Sequence, residues 1–354
     1  MKFLPFFAIV LLTSSVLANY HKKFDHEIIN LREIAAKVNS DPTSLWKADT
    51  YGLDEVAVSE IRKKIGAKLN EKGLPTSNKH SESKFTGQNR SKLGVGIALP
   101  RSYDARQRYP NCTSVSHIRD QSNCGSCWAV SAASVLSDRF CIHSEGRYNF
   151  ELSSRYILSC NKDNGGCAGG YTQIVWEFLK TQGTVTGGDF QSDEGCQPYP
   201  FHPCGWPQKL PCPQYLTPKC MNTKCDNEWY KAPKETRMYK ARESYHIKDD
   251  IFGLFTEYYI RDEIFRNGPV QAAFLMYADI LTYKSGIYNH QSTEEHVGGH
   301  LMKIIGWGEE KGVKYWIISN SWGENWGEKG IIRMIRGVNN CGIEDYVFAG
   351  IPEL

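Results

Sequence analysis

The chain has 354 residues, 41% of them hydrophobic and 23% charged, with a formal net charge of +3. This balance excludes a disordered polyelectrolyte and leaves enough apolar mass for two core-bearing lobes. The positive surplus sits in residues 19–98, at about +4. From residue 99 onward the chain is close to neutral and has no basic cluster, which argues against a nucleic-acid partner.

Residues 1–18 read as a cleaved secretory signal. Lys2 gives the positive start, residues 3–12 are apolar, and Val16-Leu17-Ala18 offers small residues for cleavage. The apolar run is too short to span a bilayer comfortably and no later run is long enough. The expectation is a protein of the secretory route, lysosomal or extracellular, with no membrane partner. All twelve cysteines follow Ala98, which in that compartment implies disulfides whose pairing the sequence alone does not set.

Residues 19–98 look like a propeptide. Ile28, Leu31, Ile34, Ala35 and Val38 predict a helix over residues 26–38, and Val58, Ile61, Ile65 and Leu69 predict another over 54–69. The polar stretch 76–92 reads as an exposed linker, where processing proteases cut. Asn89-Arg90-Ser91 and Asn111-Cys112-Thr113 match the N-glycosylation pattern.

Next comes Gln121-Ser122-Asn123-Cys124-Gly125-Ser126-Cys127-Trp128, which places Cys127 at the mouth of a predicted helix. A helix N-terminus favours a thiolate, and the thiolate is the nucleophilic form. Glycine-rich turns punctuate residues 165–170, helical periodicity dominates to about residue 180, and residues 260–267 predict a later helix. Strand formers dominate after residue 271. Residues 300–307 and 314–320 read as two strands joined by a loop over 308–312. A hairpin symmetric about Glu310 sets His300 opposite Asn320, with Cβ atoms about 5 Å apart. The asparagine then accepts one imidazole N–H and leaves the other ring nitrogen for Cys127, the nucleophile–base–orienter pattern.

Two other readings compete. Cys124 and Cys127 also form a C-x-x-C, but ten further cysteines and the lack of a thioredoxin-like context weigh against a redox dithiol. His296 and His300 share the i, i+4 spacing of a helical zinc pair, but Gly298-Gly299 weakens a helix there. Trp307, Trp316 and Trp326 read as core packing.

Gln121, Cys127-Trp128, Gly299-His300 and Asn320-Ser321-Trp322 together resemble the papain-like cysteine peptidases, and closely their cathepsin B branch, from about residue 99 to the C-terminus. The resemblance implies an α+β, two-lobe papain-like fold: a helical left lobe, an antiparallel β-barrel right lobe, and an N-terminal propeptide that blocks the cleft. Residues 99–354 are then the peptidase domain, and Trp46-Lys47-Ala48 matches the tryptophan that anchors short propeptides of this branch. It also implies disulfides Cys112–Cys141, Cys124–Cys167, Cys160–Cys220, Cys196–Cys225 and Cys204–Cys212, leaving Cys127 and Cys341 free. Catalysis falls to Cys127, His300, Asn320 and Gln121, with Trp322 lying over the His300–Asn320 contact. Substrate runs past Gly169 and Gly170, and the S2 pocket is lined by Tyr171, Thr172, Ala273, Leu301 and Tyr346. No cofactor or metal is implied. The expected partners are protein and peptide substrates, cystatin-like inhibitors and the chain's own propeptide, and a monomer is expected.

The chain departs from the branch at three places. Tyr346 stands where an acidic residue is common, so arginine in S2 has no partner and hydrophobic or aromatic side chains are expected there. The insert 205–211, matching the occluding loop, is short and has no histidine. Mainly endopeptidase action is therefore expected, with dipeptide release weak or absent. The cysteine pair that often lies between positions 160 and 167 is missing. Residues 315–328 also resemble a motif of haemoglobin-degrading cathepsin B enzymes from blood-feeding worms, departing at Ser319 and Asn325. The enzyme is expected to work in acid, where protonation of carboxylates and histidines loosens the propeptide.

Overall fold

The computed structural model describes residues 27–68, 98–207, 212–222, 225, 227, 230, 237–248, 255–291 and 296–354. The signal segment, the polar linker, Asn89 and residues 208–211 of the insert lie outside the described residues.

Eleven strands are present among them: β1 (Ile28–Asn30), β2 (Trp46–Ala48), β3 (Glu55–Ala57), β4 (Tyr103–Asp104), β5 (Ala241–Ile247), β6 (Val270–Met276), β7 (Tyr283–Tyr288), β8 (Gly298–Glu310), β9 (Val313–Ser319), β10 (Ile331–Ile335) and β11 (Tyr346–Pro352). β1 pairs with β3. The rest form one sheet in the order β2-β7-β10-β9-β8-β6-β11-β5, with β4 beside β8. The antiparallel β-barrel expected of the right lobe is present as this sheet, with two particulars among the described residues. The ladder does not close, since β2 and β5 end it, and β10 runs parallel to β7.

The helical lobe centres on the Cys127–His143 helix. It is buried from Cys127 to Cys141, serines and charged residues included. Buried charges tie it to the sheet. Lys303 Nζ on β8 meets Asp138 Oδ2 at 2.8 Å, and Arg139 donates to Glu263 at 2.9 Å and to the carbonyls of Gly268, Pro269 and Gly350. Trp307, Trp316 and Trp326 are fully buried in the sheet core, as expected. The later helix forms as Thr256–Asn267.

The N-terminal segment follows its predicted pattern only in part. The first helix is Leu31–Ser40, later than the periodicity suggests, because the Asn30 side chain caps it by accepting from the Glu33 N–H at 2.9 Å. The second helix is only Val58–Arg62, preceded by β3. Beyond it the chain extends as a strap, residues 64–68. A Cβ at Gly66 would collide with the Gly125 carbonyl, so glycine lets the strap lie flat on the loop before Cys127. Trp46 on β2 is buried, paired in register with Gly286 and packed on Tyr288 at 5.2 Å.

All five expected disulfides are present, and Cys127 and Cys341 are free. Cys124 is thereby committed to Cys167, which removes the redox-dithiol reading.

Candidate active site

The hairpin that carries the candidate base is not symmetric about Glu310. Its turn is the two residues Lys311 and Gly312, with φ of 50° and 82°, the left-handed pair that suits a type I′ turn. Glu310 faces Val313, and the register shifts between Ile304 and Gly306, so Lys303 lies opposite Ser319. His300 is therefore not directly opposite Asn320; its ladder partner is Phe274 on β6. The two side chains still meet: His300 Nε2 donates to Asn320 Oδ1 at 2.9 Å. The bulge and the shorter turn shift the pairing, and the side chains close the offset diagonally.

His300 and Cys127 are both fully buried. Asn320 Oδ1 also accepts from the Ser321 N–H at 2.8 Å, which fixes the amide as an acceptor toward His300. His300 Nδ1 has no hydrogen-bond partner. The Trp322 ring lies 5.0 Å from the imidazole, tilted by 32°, and is itself buried.

Burial raises the Cys127 thiol to about 12. The N–H groups of Leu301, Gly66, Trp128 and Cys127 itself, aimed at the sulfur, oppose the rise. Burial likewise lowers His300 to about 4, against the Asn320 hydrogen bond. Beneath the strap, burial thus disfavours the charged form of each group, the thiolate and the imidazolium alike. Ser126 precedes the helix but makes no capping bond; its hydroxyl meets Tyr199 Oη at 2.7 Å.

The Gln121 amide is held on several sides. Its Oε1 accepts from Ser321 Oγ at 2.6 Å, and its Nε2 donates to the Cys124 carbonyl at 2.8 Å and to the Lys64 carbonyl of the strap at 3.0 Å. Trp322 Nε1 donates to the same Lys64 carbonyl at 3.3 Å. Tyr199 Oη donates to the Gln121 carbonyl at 2.8 Å. Sequence reasoning missed Ser321, Tyr199 and Lys64 as neighbours, since nothing local marks a contact spanning 57 to 200 positions.

Past Lys64 the strap bonds with both walls of the cleft. Ala67 N–H donates to the Gly299 carbonyl at 3.1 Å, Gly170 N–H to the Gly66 carbonyl at 2.8 Å, and Lys68 N–H to the Gly170 carbonyl at 3.0 Å. Gly169 has φ of +96°, a value that favours glycine. Ala67 packs in the apolar cluster that holds Ala273, Leu301 and Tyr346. These three form one row across adjacent strands, with Tyr346 opposite Ala273 and Ala273 opposite Leu301. The Lys68 ammonium lies over the Tyr171 ring at 5.4 Å, and Thr172, buried, opens the next helix.

The short loop closed by Cys204–Cys212 is tied to the same region. Gly205 N–H donates to Asp120 Oδ2 at 2.6 Å, and Trp206 N–H to the Trp322 carbonyl at 3.0 Å. His202 turns to its neighbour Pro203, whose carbonyl lies 2.8 Å from Nδ1. At the far side of Glu151, His117 bridges two carboxylates, Glu151 through Nδ1 and Asp189 through Nε2 at 2.8 Å, with Arg119 paired to Glu151 at 2.5 Å.

Residues 99–351 match the family described as papain family cysteine protease. The chain is 40% identical to "Cathepsin B-like cysteine proteinase" of Schistosoma japonicum, over 90% of each chain. It is 43% identical to "Cathepsin B-like cysteine proteinase 4" of Caenorhabditis elegans, over 72% of this chain and 76% of the other. Among solved structures it is similar to "proCathepsin B S9 from Trypanosoma congolense", with a TM-score of 0.74 and 31% identity, covering 91% of this chain and 98% of that one.

Proposed function

Because the chain belongs to the papain family of cysteine proteases, on its cathepsin B-like branch, and has the form of a zymogen, we propose that Cys127, His300, Asn320 and Gln121 carry peptide-bond hydrolysis once the strap leaves. The observation that supports this best is the Lys64 carbonyl held by Gln121 Nε2 at 3.0 Å: a peptide carbonyl already occupies the place where an oxyanion would develop.

With the strap gone, water reaches the cleft and the burial that holds the dyad neutral is relieved. His300 Nδ1, the ring nitrogen Asn320 does not use, takes the Cys127 proton. The thiolate attacks the scissile carbonyl carbon, and the oxyanion is bound by the Gln121 amide and the Cys127 N–H. His300 then protonates the leaving amine as the C–N bond breaks and the thioester forms. Water gives a proton to His300 and its oxygen adds to the thioester carbonyl; the C–S bond breaks, the acid leaves, and the Cys127 thiolate and His300 imidazolium are restored.

Residues 19–98 serve as the propeptide and residues 1–18 as its signal, sending the protein to a lysosomal or extracellular compartment. Asn111, exposed beside the Cys112 disulfide, is a glycan acceptor. Cystatin-like inhibitors take the same cleft as substrate. The Tyr346–Ala273–Leu301 row, with Tyr171 and Thr172, forms an S2 pocket that takes hydrophobic or aromatic side chains. No histidine lies in the 205–211 insert to bind a substrate carboxylate, which favours internal cleavage over release of C-terminal dipeptides.

The test is to activate the protein in acid and digest a mixed peptide library with free and amidated C-termini. Internal cuts with phenylalanine or leucine second from the cleaved bond, indifferent to the C-terminal carboxylate, are expected. A ladder of dipeptides that needs a free carboxylate would overturn the endopeptidase reading, and a preference for arginine at that position would overturn the pocket.

A further inference from the structure

We propose that His246 is a specificity-determining residue of the S2 pocket, acting as a positioning residue that holds the Tyr346 ring flat against the pocket wall. This rests on the reading of Tyr346 as an S2 residue.

The sheet register builds the arrangement. β11 lies between β6 and β5. On its β6 side Tyr346 faces Ala273, and on its β5 side Phe348 faces His246. Residues 346 and 348 project from the same face of the strand, because side chains alternate. His246 therefore joins the face that carries Tyr346, Ala273 and Leu301, contributed by a fourth strand. Its imidazole is stacked on Phe348, 4.6 Å between centroids and 4° from parallel, and on Tyr346, 5.7 Å apart and 15° from parallel.

The ring is also anchored to the backbone. His246 Nε2–H donates to the Asp345 carbonyl at 2.8 Å, the residue just before Tyr346. The imidazole thus fixes both the backbone at the start of β11 and the plane of the Tyr346 ring. Phe348 is 1% exposed and serves as the fixed base of the three-ring stack, while Tyr346 is half-buried at its open end.

A tyrosine held in this way presents a flat apolar face to an incoming side chain. Offset aromatic stacking of this kind favours the flat arrangement of the rings. Without His246 the Tyr346 ring loses this stack and the backbone before it loses the imidazole anchor, so the flat wall is less well held. The cost falls on ground-state and transition-state binding alike, so it appears in KM and leaves kcat in place. It also depends on the substrate: a flat side chain loses more than a flexible one.

The experiment compares acid-activated wild type with His246→Leu, His246→Phe and Tyr346→Glu on peptide substrates that differ only at the second residue before the cleaved bond, phenylalanine against arginine. Active sites are counted with an irreversible thiol-reactive epoxide, so that partly folded material does not distort kcat. His246→Leu fills the space without a flat face. It is expected to raise KM for the phenylalanine substrate about three- to tenfold with kcat unchanged, and to narrow the phenylalanine-over-arginine ratio. His246→Phe restores the stack and is expected to return KM to within twofold of wild type. An equal fall in kcat on both substrates, or an unchanged ratio in His246→Leu, would overturn the inference. Tyr346→Glu separates the two levels. If it fails to improve the arginine substrate, the pocket reading itself is wrong; if it succeeds while His246→Leu behaves as wild type, only the role of His246 is wrong.

Discussion

His300 Nε2 donates to Asn320 Oδ1 at 2.9 Å, and the acceptor is itself held by the Ser321 N–H. This one contact decides the chemistry of the ring. It fixes the proton on Nε2 and leaves Nδ1 as the nitrogen that can exchange a proton with sulfur. Replacing the amide with Asn320→Ala frees the tautomer and the ring orientation. A fall in kcat/KM of up to about 10²-fold is expected, with the epoxide titre of active sites unchanged. Retention of full turnover would mean that the asparagine does not orient the base.

The amide of Gln121 faces the strap carbonyl in the zymogen, and in the proposed mechanism it faces a developing oxyanion in the processed enzyme. Gln121→Ala is expected to lower kcat by about 10²-fold while KM changes little, because the bond strengthens as charge develops. Parallel loss of zymogen stability is expected too, since the Lys64 carbonyl at 3.0 Å loses a donor. A change confined to KM would contradict the oxyanion role.

The His300–Asn320 meeting was legible in the sequence, although the register behind it was not. Symmetry about Glu310 gives the right pair through a wrong turn, because Lys311-Gly312 makes a two-residue loop and the bulge near Ile305 restores part of the offset. The disulfide pairing follows from the family resemblance, whereas Cys127 at a helix start was legible in residues 121–128 themselves. Residues 54–69 show the opposite failure: Val58, Ile61 and Ile65 are spaced for a helix and are buried, yet Gly66 and the carbonyls of Gly170 and Gly299 draw the chain out straight. Tertiary hydrogen bonds outweighed local pattern there. Contacts such as Ser321 to Gln121 carry no local signal at all.

Burial holds Cys127 up near 12 and His300 down near 4 in the uncleaved chain. The thiol should therefore be inert before processing. Alkylation of the uncleaved protein at pH 6 is expected to be at least about 10²-fold slower than that of the processed enzyme, and to rise steeply with pH. Equal rates in the two forms would show that the strap does not control ionisation.

His117 sits between two acids outside the catalytic set. Burial alone lowers its pKa, but hydrogen bonds to Asp189 and Glu151, and their charge, raise it to about 9. A raised pKa contributes stability that is complete below the unfolded value near 6.5 and lost as pH climbs through about 9. The melting temperature of wild type should exceed that of His117→Gln most in acid, and the two should converge above pH 9. A gap that ignores pH would rule out the imidazolium clamp. The clamp holds the segment from Asp189 toward Tyr199, whose hydroxyl reaches the Gln121 carbonyl.

The most direct test of the catalytic assignment is to label the processed enzyme with the irreversible thiol-reactive epoxide, locate the adduct by peptide mapping, and assay Cys127→Ala alongside. One adduct per molecule on Cys127, loss of turnover in proportion to labelling, and no turnover in Cys127→Ala are the predicted results. Turnover at the wild-type rate in Cys127→Ala, or inactivation with the adduct on Cys341 alone, would contradict it.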